Sequence, residues 1–194
     1  MSLAKANASN ANARIQSSAS SRKAIVVLAI VLMIPAAQAV AQESLADLMN
    51  QGGYGWILGN WVSDGDGGQQ AQLAFKTELS GHMVTLQLKI GAYEFRGINI
   101  RKANEMLPIL IGADNMGGTG KGSWDIDGDK AVLKYERTDP YGEVARIGFM
   151  YSNVDAETMK IEMYDMDSQG QLGSYPNNSM LYKRVKSKDA KGDK

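Results

Sequence analysis

Trp56-Ile57-Leu58-Gly59-Asn60-Trp61-Val62 opens the patterned part of the chain and decides how the rest is read. Behind it, Glu43 to Asn50 carries Leu45, Leu48 and Met49 at spacings of three and four. Acids near its start and Gly52-Gly53 after it complete the signature of a short amphipathic helix. Ahead of it lies Ser63 to Gly68, a run of turn formers, and then the period changes to two. Leu73, Phe75, Thr77 and Leu79 alternate with Lys76 and Glu78. After Ser80-Gly81, His82, Val84, Leu86, Leu88 and Ile90 alternate with Thr85, Gln87 and Lys89. That is strand patterning with one apolar face.

The alternation continues to the end. Tyr93 to Ile100 is a strand in which the apolar parity shifts across Gly97, the mark of a bulge. Met106 to Ile111 contains Pro108 and reads as an edge or irregular strand. Asp114 to Gly122 is glycine-rich and reads as a loop. Asp127-Gly128 joins Trp124–Asp127 to Ala131–Arg137 as a hairpin, and Asp139-Pro140-Tyr141-Gly142 is a second turn. Glu143 to Tyr151, Met159 to Met166 and Ser179 to Val185 complete about ten strands after one helix, with no helical pattern between them. The predicted fold class is all-β: a single antiparallel up-and-down barrel of eight to ten strands with a short N-terminal helix, over residues 42–185. Closing such a meander buries its apolar face and removes its edges.

Residues 1–41 read as an export signal. Arg22 and Lys23 precede the apolar run Ile25 to Ile34, and Ala37-Gln38-Ala39-Val40-Ala41 follows it. A basic region, a short apolar core and small-residue cleavage sites form a secretory signal peptide, here with a long first region. The apolar run is short of the ~20 residues that span a bilayer. An uncleaved anchor is the alternative. Cleavage after Ala41 leaves 17 basic and 21 acidic residues, a net charge of −4. The expected protein is therefore periplasmic or secreted, and free of the membrane after cleavage. Its mild acidity disfavours nucleic acid, which needs clustered cations. The chain has no cysteine, so disulfides, thiolate metal sites and lipid attachment at cysteine are excluded. The tail, residues 186–194, is charged and expected to be disordered.

A short helix, Leu58-Gly59-Asn60-Trp61, and consecutive hairpins ending in Leu181-Tyr182-Lys183-Arg184 resemble the lipocalins and fatty-acid-binding proteins. The chain looks most like the lipocalin-like (calycin-type) domains of bacterial exported proteins. The resemblance implies a structural role for Gly59, Trp61 and Arg184: Trp61 at the closed end of the barrel, with Arg184 (or Lys183) across its ring in a cation–π contact. It also implies a small apolar ligand inside. The inward parity names Leu73, Phe75, Leu86, Leu88, Ile147, Phe149 and Met163 as the wall of that site, acting in a monomer or a weak homodimer.

Chemistry beyond binding has little support. His82, the only histidine, shares parity with the inward residues and is a candidate for a ligand's polar end. Nitrobindins, haem-binding barrels of the same superfamily, use one histidine for iron. The alternative places His82 at the rim, satisfied by water. The Asp pairs around residues 64, 125 and 165 have calcium-like spacing, but Pro176 stands where an EF-hand loop needs its bidentate Glu. They read as turn formers. Gly117 to Gly122 lacks the Walker spacing, and no Gly-x-Ser-x-Gly appears. No metal, cofactor or catalytic residue is expected. Eight of the 11 Met residues follow residue 80, which suits either an adaptable pocket wall or ordinary core filling.

Overall fold

The computed structural model describes residues 43–64 and 70–186. The expected signal peptide, the loop residues 65–69 and nearly all of the charged tail lie outside them. Helix α1 spans Leu45–Gln51. The strands are β1 (Gly59–Asp64), β2 (Gln70–Glu78), β3 (Met83–Ile90), β4 (Tyr93–Ile100), β5 (Ile109–Asp114), β6 (Thr119–Asp127), β7 (Lys130–Thr138), β8 (Val144–Asp155), β9 (Thr158–Asp165) and β10 (Asn178–Arg184). Each pairs antiparallel with its sequence neighbour, and β1 pairs with β10 to close the barrel. The all-β up-and-down barrel read from the alternation is the observed fold.

Helix α1 begins where the sequence signals it. Ser44 accepts a hydrogen bond from the Asp47 N–H through Oγ at 3.1 Å, and the Ser44 N–H donates to Asp47 Oδ2 at 3.3 Å. This capping box satisfies orphan N–H groups at both positions. Leu45 is buried beneath the helix with Ile57 and Phe75, so α1 covers the end of the barrel where β1 starts. Trp56 and Ile57 belong to a single 3-10 turn, Gly55–Ile57, rather than to the first strand.

At that closed end Trp61 is 1% exposed and faces Arg184 across the β1–β10 seam. The guanidinium carbon sits 4.2 Å from the ring centroid. Arg184 also donates from Nη1 to Leu58 O at 2.8 Å, from Nη2 to Trp56 O at 2.6 Å and from Nε to Ala156 O at 3.2 Å. The seam has few strand pairs of its own, and one side chain ties both of its flanks to the barrel base. Gly59 is demanded twice over. Its φ is +130°, and a Cβ there would lie 2.5 Å from Arg184 Nη1.

Three local readings need correction, and glycine or proline misled each of them. The β3–β4 register runs unbroken through Leu86↔Gly97, so Gly97 is not a bulge. The parity shift is instead a buried Asn99 facing inward and an exposed Ile98 facing out. Asn99 is satisfied, donating to Val84 O at 2.9 Å and accepting from Trp124 Nε1 at 2.7 Å. Pro108 lies before β5, which pairs fully on both sides and is no edge. Thr119 to Gly122 is strand rather than loop, leaving only a short turn at residues 115–118.

Those strand glycines share one explanation. Gly97, Gly112 and Gly120 are cross-strand neighbours on β4, β5 and β6. The Phe95 ring lies over Gly97 and Gly112, and the Tyr135 ring over Gly120 and Gly122. A Cβ at Gly112 or Gly120 would collide with a ring. Glycine in a strand interior often marks such a close approach.

Candidate binding cavity at the open end

Opposite the helix, the barrel interior is hollow. A cavity of about 240 Å³ is bounded by Leu73 on β2, Leu86, Leu88 and Ile90 on β3, Tyr93 and Phe95 on β4, and Leu110 on β5. Leu133, Tyr135 and Arg137 on β7, Ile147, Phe149 and Tyr151 on β8, Ile161 and Met163 on β9, and Met180 and Tyr182 on β10 complete the wall. A single water needs only ~10–15 Å³ by such a measure, so the space far exceeds a packing defect. The wall is apolar because each residue that lines the hollow is aliphatic or aromatic until Arg137 is reached at the mouth.

Six of the residues named from the sequence meet here: Leu73, Leu86, Leu88, Ile147, Phe149 and Met163. Phe75 does not. It lies below, 2% exposed, with its ring edge-on to Trp124 at 6.3 Å and to Tyr151 at 6.0 Å. Together with Trp124 and Tyr151, whose centroids are 5.4 Å apart, Phe75 forms the floor that separates the cavity from α1. It packs the base instead of touching an occupant.

His82 stands apart as well. It is exposed at the closed end, capping the 3-10 turn Leu79–Gly81 with φ −74° and ψ −15°. Ser80 in that turn has φ +55°, so the chain twists before β3 begins and the inward parity does not extend back to residue 82. The rim alternative describes where His82 sits.

The mouth carries a polar corner. Arg137 Nε donates to Asp114 Oδ2 at 2.6 Å. The Asp114 side chain is 1% exposed and that of Arg137 24%. Asp114 Oδ1 accepts from the Met116 N–H at 3.0 Å and the Gly118 N–H at 2.9 Å, so the carboxylate is surrounded by donors. Its hydrogen bond from Arg137 holds it below the usual carboxylate range, despite burial that works the other way. Tyr93 borders this pair, and burial, then Asp114, raises its phenol above the ordinary value. Tyr135, two residues before Arg137 on β7, is buried, and its hydroxyl has no hydrogen-bond partner among the described residues. Burial, then Tyr93 and Asp114, push that phenol up to about 12.

The parity of β7 and β5 could have found this corner. Tyr135 and Arg137 continue the inward series of Ala131 and Leu133, and Asp114 continues that of Leu110 and Gly112. What no pattern could supply was that β5 and β7, with β6 between them, bring Asp114 and Arg137 into contact.

Several acids hold backbone turns, and Asp167, one of those with calcium-like spacing, is among them. Asp139 Oδ1 accepts from the N–H groups of Tyr141 and Glu143, both at 2.8 Å. Asp167 Oδ1 does the same for Gln169 and Gln171, at 2.9 and 2.8 Å. Asp125 pairs with Lys134 on the outer face. No protein-family model and no curated protein matches the chain, so fold and cavity geometry carry the functional argument.

Proposed function

We propose that the protein is an exported, non-catalytic carrier that holds a small apolar molecule in the open-end cavity. The hollow of about 240 Å³, walled by aliphatic and aromatic side chains, is the observation that supports this reading. Small-molecule sites are concave, mostly apolar and furnished with a few polar groups, and this cavity has that character. The same hollow argues against a filled barrel serving only as an interaction module. A haem held through His82 finds no support in the geometry, since the residue lies outside the wall. Export rests on the basic, apolar and small-residue segments of residues 1–41.

The test is titration with an uncharged apolar fluorescent dye, in the parent and in Leu88→Trp. Leu88 points into the hollow from β3, so an indole there fills space that an occupant would need. The parent should bind the dye saturably at one site, and Leu88→Trp should lose that binding while keeping a cooperative melt. Dye binding that is absent, or that Leu88→Trp leaves unchanged, would overturn the reading.

A further inference from the structure

The polar corner at the mouth says what kind of molecule the cavity accepts. Among the described residues that line the cavity Arg137 is the only cation, and that charge is already matched by Asp114 at 2.6 Å. The Asp114 carboxylate in turn holds two backbone N–H groups and is closed off from solvent. The pair is neutral as a unit. A ligand carboxylate brought beside Arg137 would meet a cation already offset by the Asp114 carboxylate behind it, and would lose its hydration without gaining a full counter-ion.

A different group is left wanting. The Tyr135 hydroxyl is buried within the wall without an acceptor among the described residues, whereas buried polar groups in folded proteins are nearly always paired. Its ring lies flat over Gly120 and Gly122, which directs the hydroxyl along β6 toward the mouth, level with Arg137, the register partner of Gly120. Every residue deeper in the hollow is apolar or aromatic, and the floor is sealed by Phe75, Trp124 and Tyr151.

We propose that the cavity takes an uncharged molecule, apolar end first, whose outer end carries a hydrogen-bond acceptor such as a ketone, ester or ether oxygen, with Tyr135 as the donor to it. The inference rests on the carrier reading and narrows it to one ligand class. A free fatty acid falls outside that class, because the arginine at the mouth is already balanced by Asp114.

Calorimetric titration with octane, hexyl methyl ketone and octanoate at about pH 8, where the acid is ionised, tests the assignment at constant carbon number. The ketone should bind best, exceeding octane by about tenfold for one hydrogen bond to a buried donor, with octanoate weakest. Tyr135→Phe removes a hydroxyl that bonds nothing among the described residues, so it should fold and melt like the parent while ketone affinity falls to that of octane. Asp114→Asn leaves Arg137 uncompensated and should shift preference toward octanoate. Octane and ketone binding equally in the parent, or octanoate binding best there, would overturn the head-group assignment while leaving the carrier reading intact. Binding of none of the three would overturn both.

Discussion

The two ends of this barrel are built from the same ten strands and use the space inside them in opposite ways. At the closed end, Trp61, Phe75, Ile57 and Met159 are all but inaccessible, and α1 lies over them. Arg184 closes the seam with three bonds to backbone carbonyls and a cation held over the Trp61 ring. At the open end the rings of Phe95 and Tyr135 are laid back against glycines, which keeps the middle empty. There the cation, Arg137, is neutralised by an acid rather than by carbonyls and a ring. One arginine fixes the fold and the other shapes a mouth. The contrast teaches that tight packing and an internal hollow can be separated along a barrel axis, with the Phe75–Trp124–Tyr151 floor as the boundary.

Breaking the closed end should cost most. Truncating a buried Trp removes about 3–5 kcal/mol, a large share of the ~5–15 kcal/mol that holds a typical domain together. Trp61→Ala is therefore expected to unfold most of the population, read by denaturant titration. If it melted like the parent, the base would not be the stabilising half.

Arg184→Ala comes next. Hydrogen bonds from a charged donor contribute ~1.5–3 kcal/mol each at best, but solvent can replace some of them at this half-buried site, so a net loss of about 2–3 kcal/mol is expected. The protein should stay folded with a lower Tm and unchanged affinity for an apolar dye. In a double-mutant cycle, Trp61 and Arg184 should be coupled by about 1 kcal/mol, since they share one contact. Simple additivity would mean that the ring and the guanidinium do not support each other.

The smallest effect should lie at the mouth and depend on pH. Asp114 is more acidic folded than unfolded, so its contribution is fully present above the ordinary carboxylate value of about 3.9 and is lost as pH falls through its lower folded value. Asp114→Asn should flatten the acid limb of the stability curve, measured as Tm against pH, and leave the closed-end couplings untouched. An unchanged acid limb would remove Asp114 from the charged pair.

Parity along the strands made the fold and much of the cavity wall legible before any coordinates. Leu73, Leu86, Leu88, Ile147, Phe149 and Met163 were found by alternation alone, because a strand side chain has only two directions to point. Phe75 shows the limit of that reasoning. Parity says in or out, but not how far along the axis a residue lies. His82 shows another limit, since a twisted turn at Leu79–Gly81 ends the alternation before it reaches residue 82. The glycines of β4 and β6 were misread because what occupies the space a glycine leaves is set by the fold and the register, not by its neighbours in sequence.

By itself, then, the sequence determined the helix, the rhythm of about ten strands and the inward faces, which follow from local spacing, while the contact of Trp61 with Arg184 (or Lys183) was implied by the resemblance carried by the start and finish of the chain. Only the tertiary structure decided that the barrel is hollow at one end, that Asp114 reaches Arg137 across β6, and that the Tyr135 hydroxyl has no partner among the described residues. Those facts depend on strand register and on how flat rings fill a closed wall, which are properties of the assembled barrel and of no single segment.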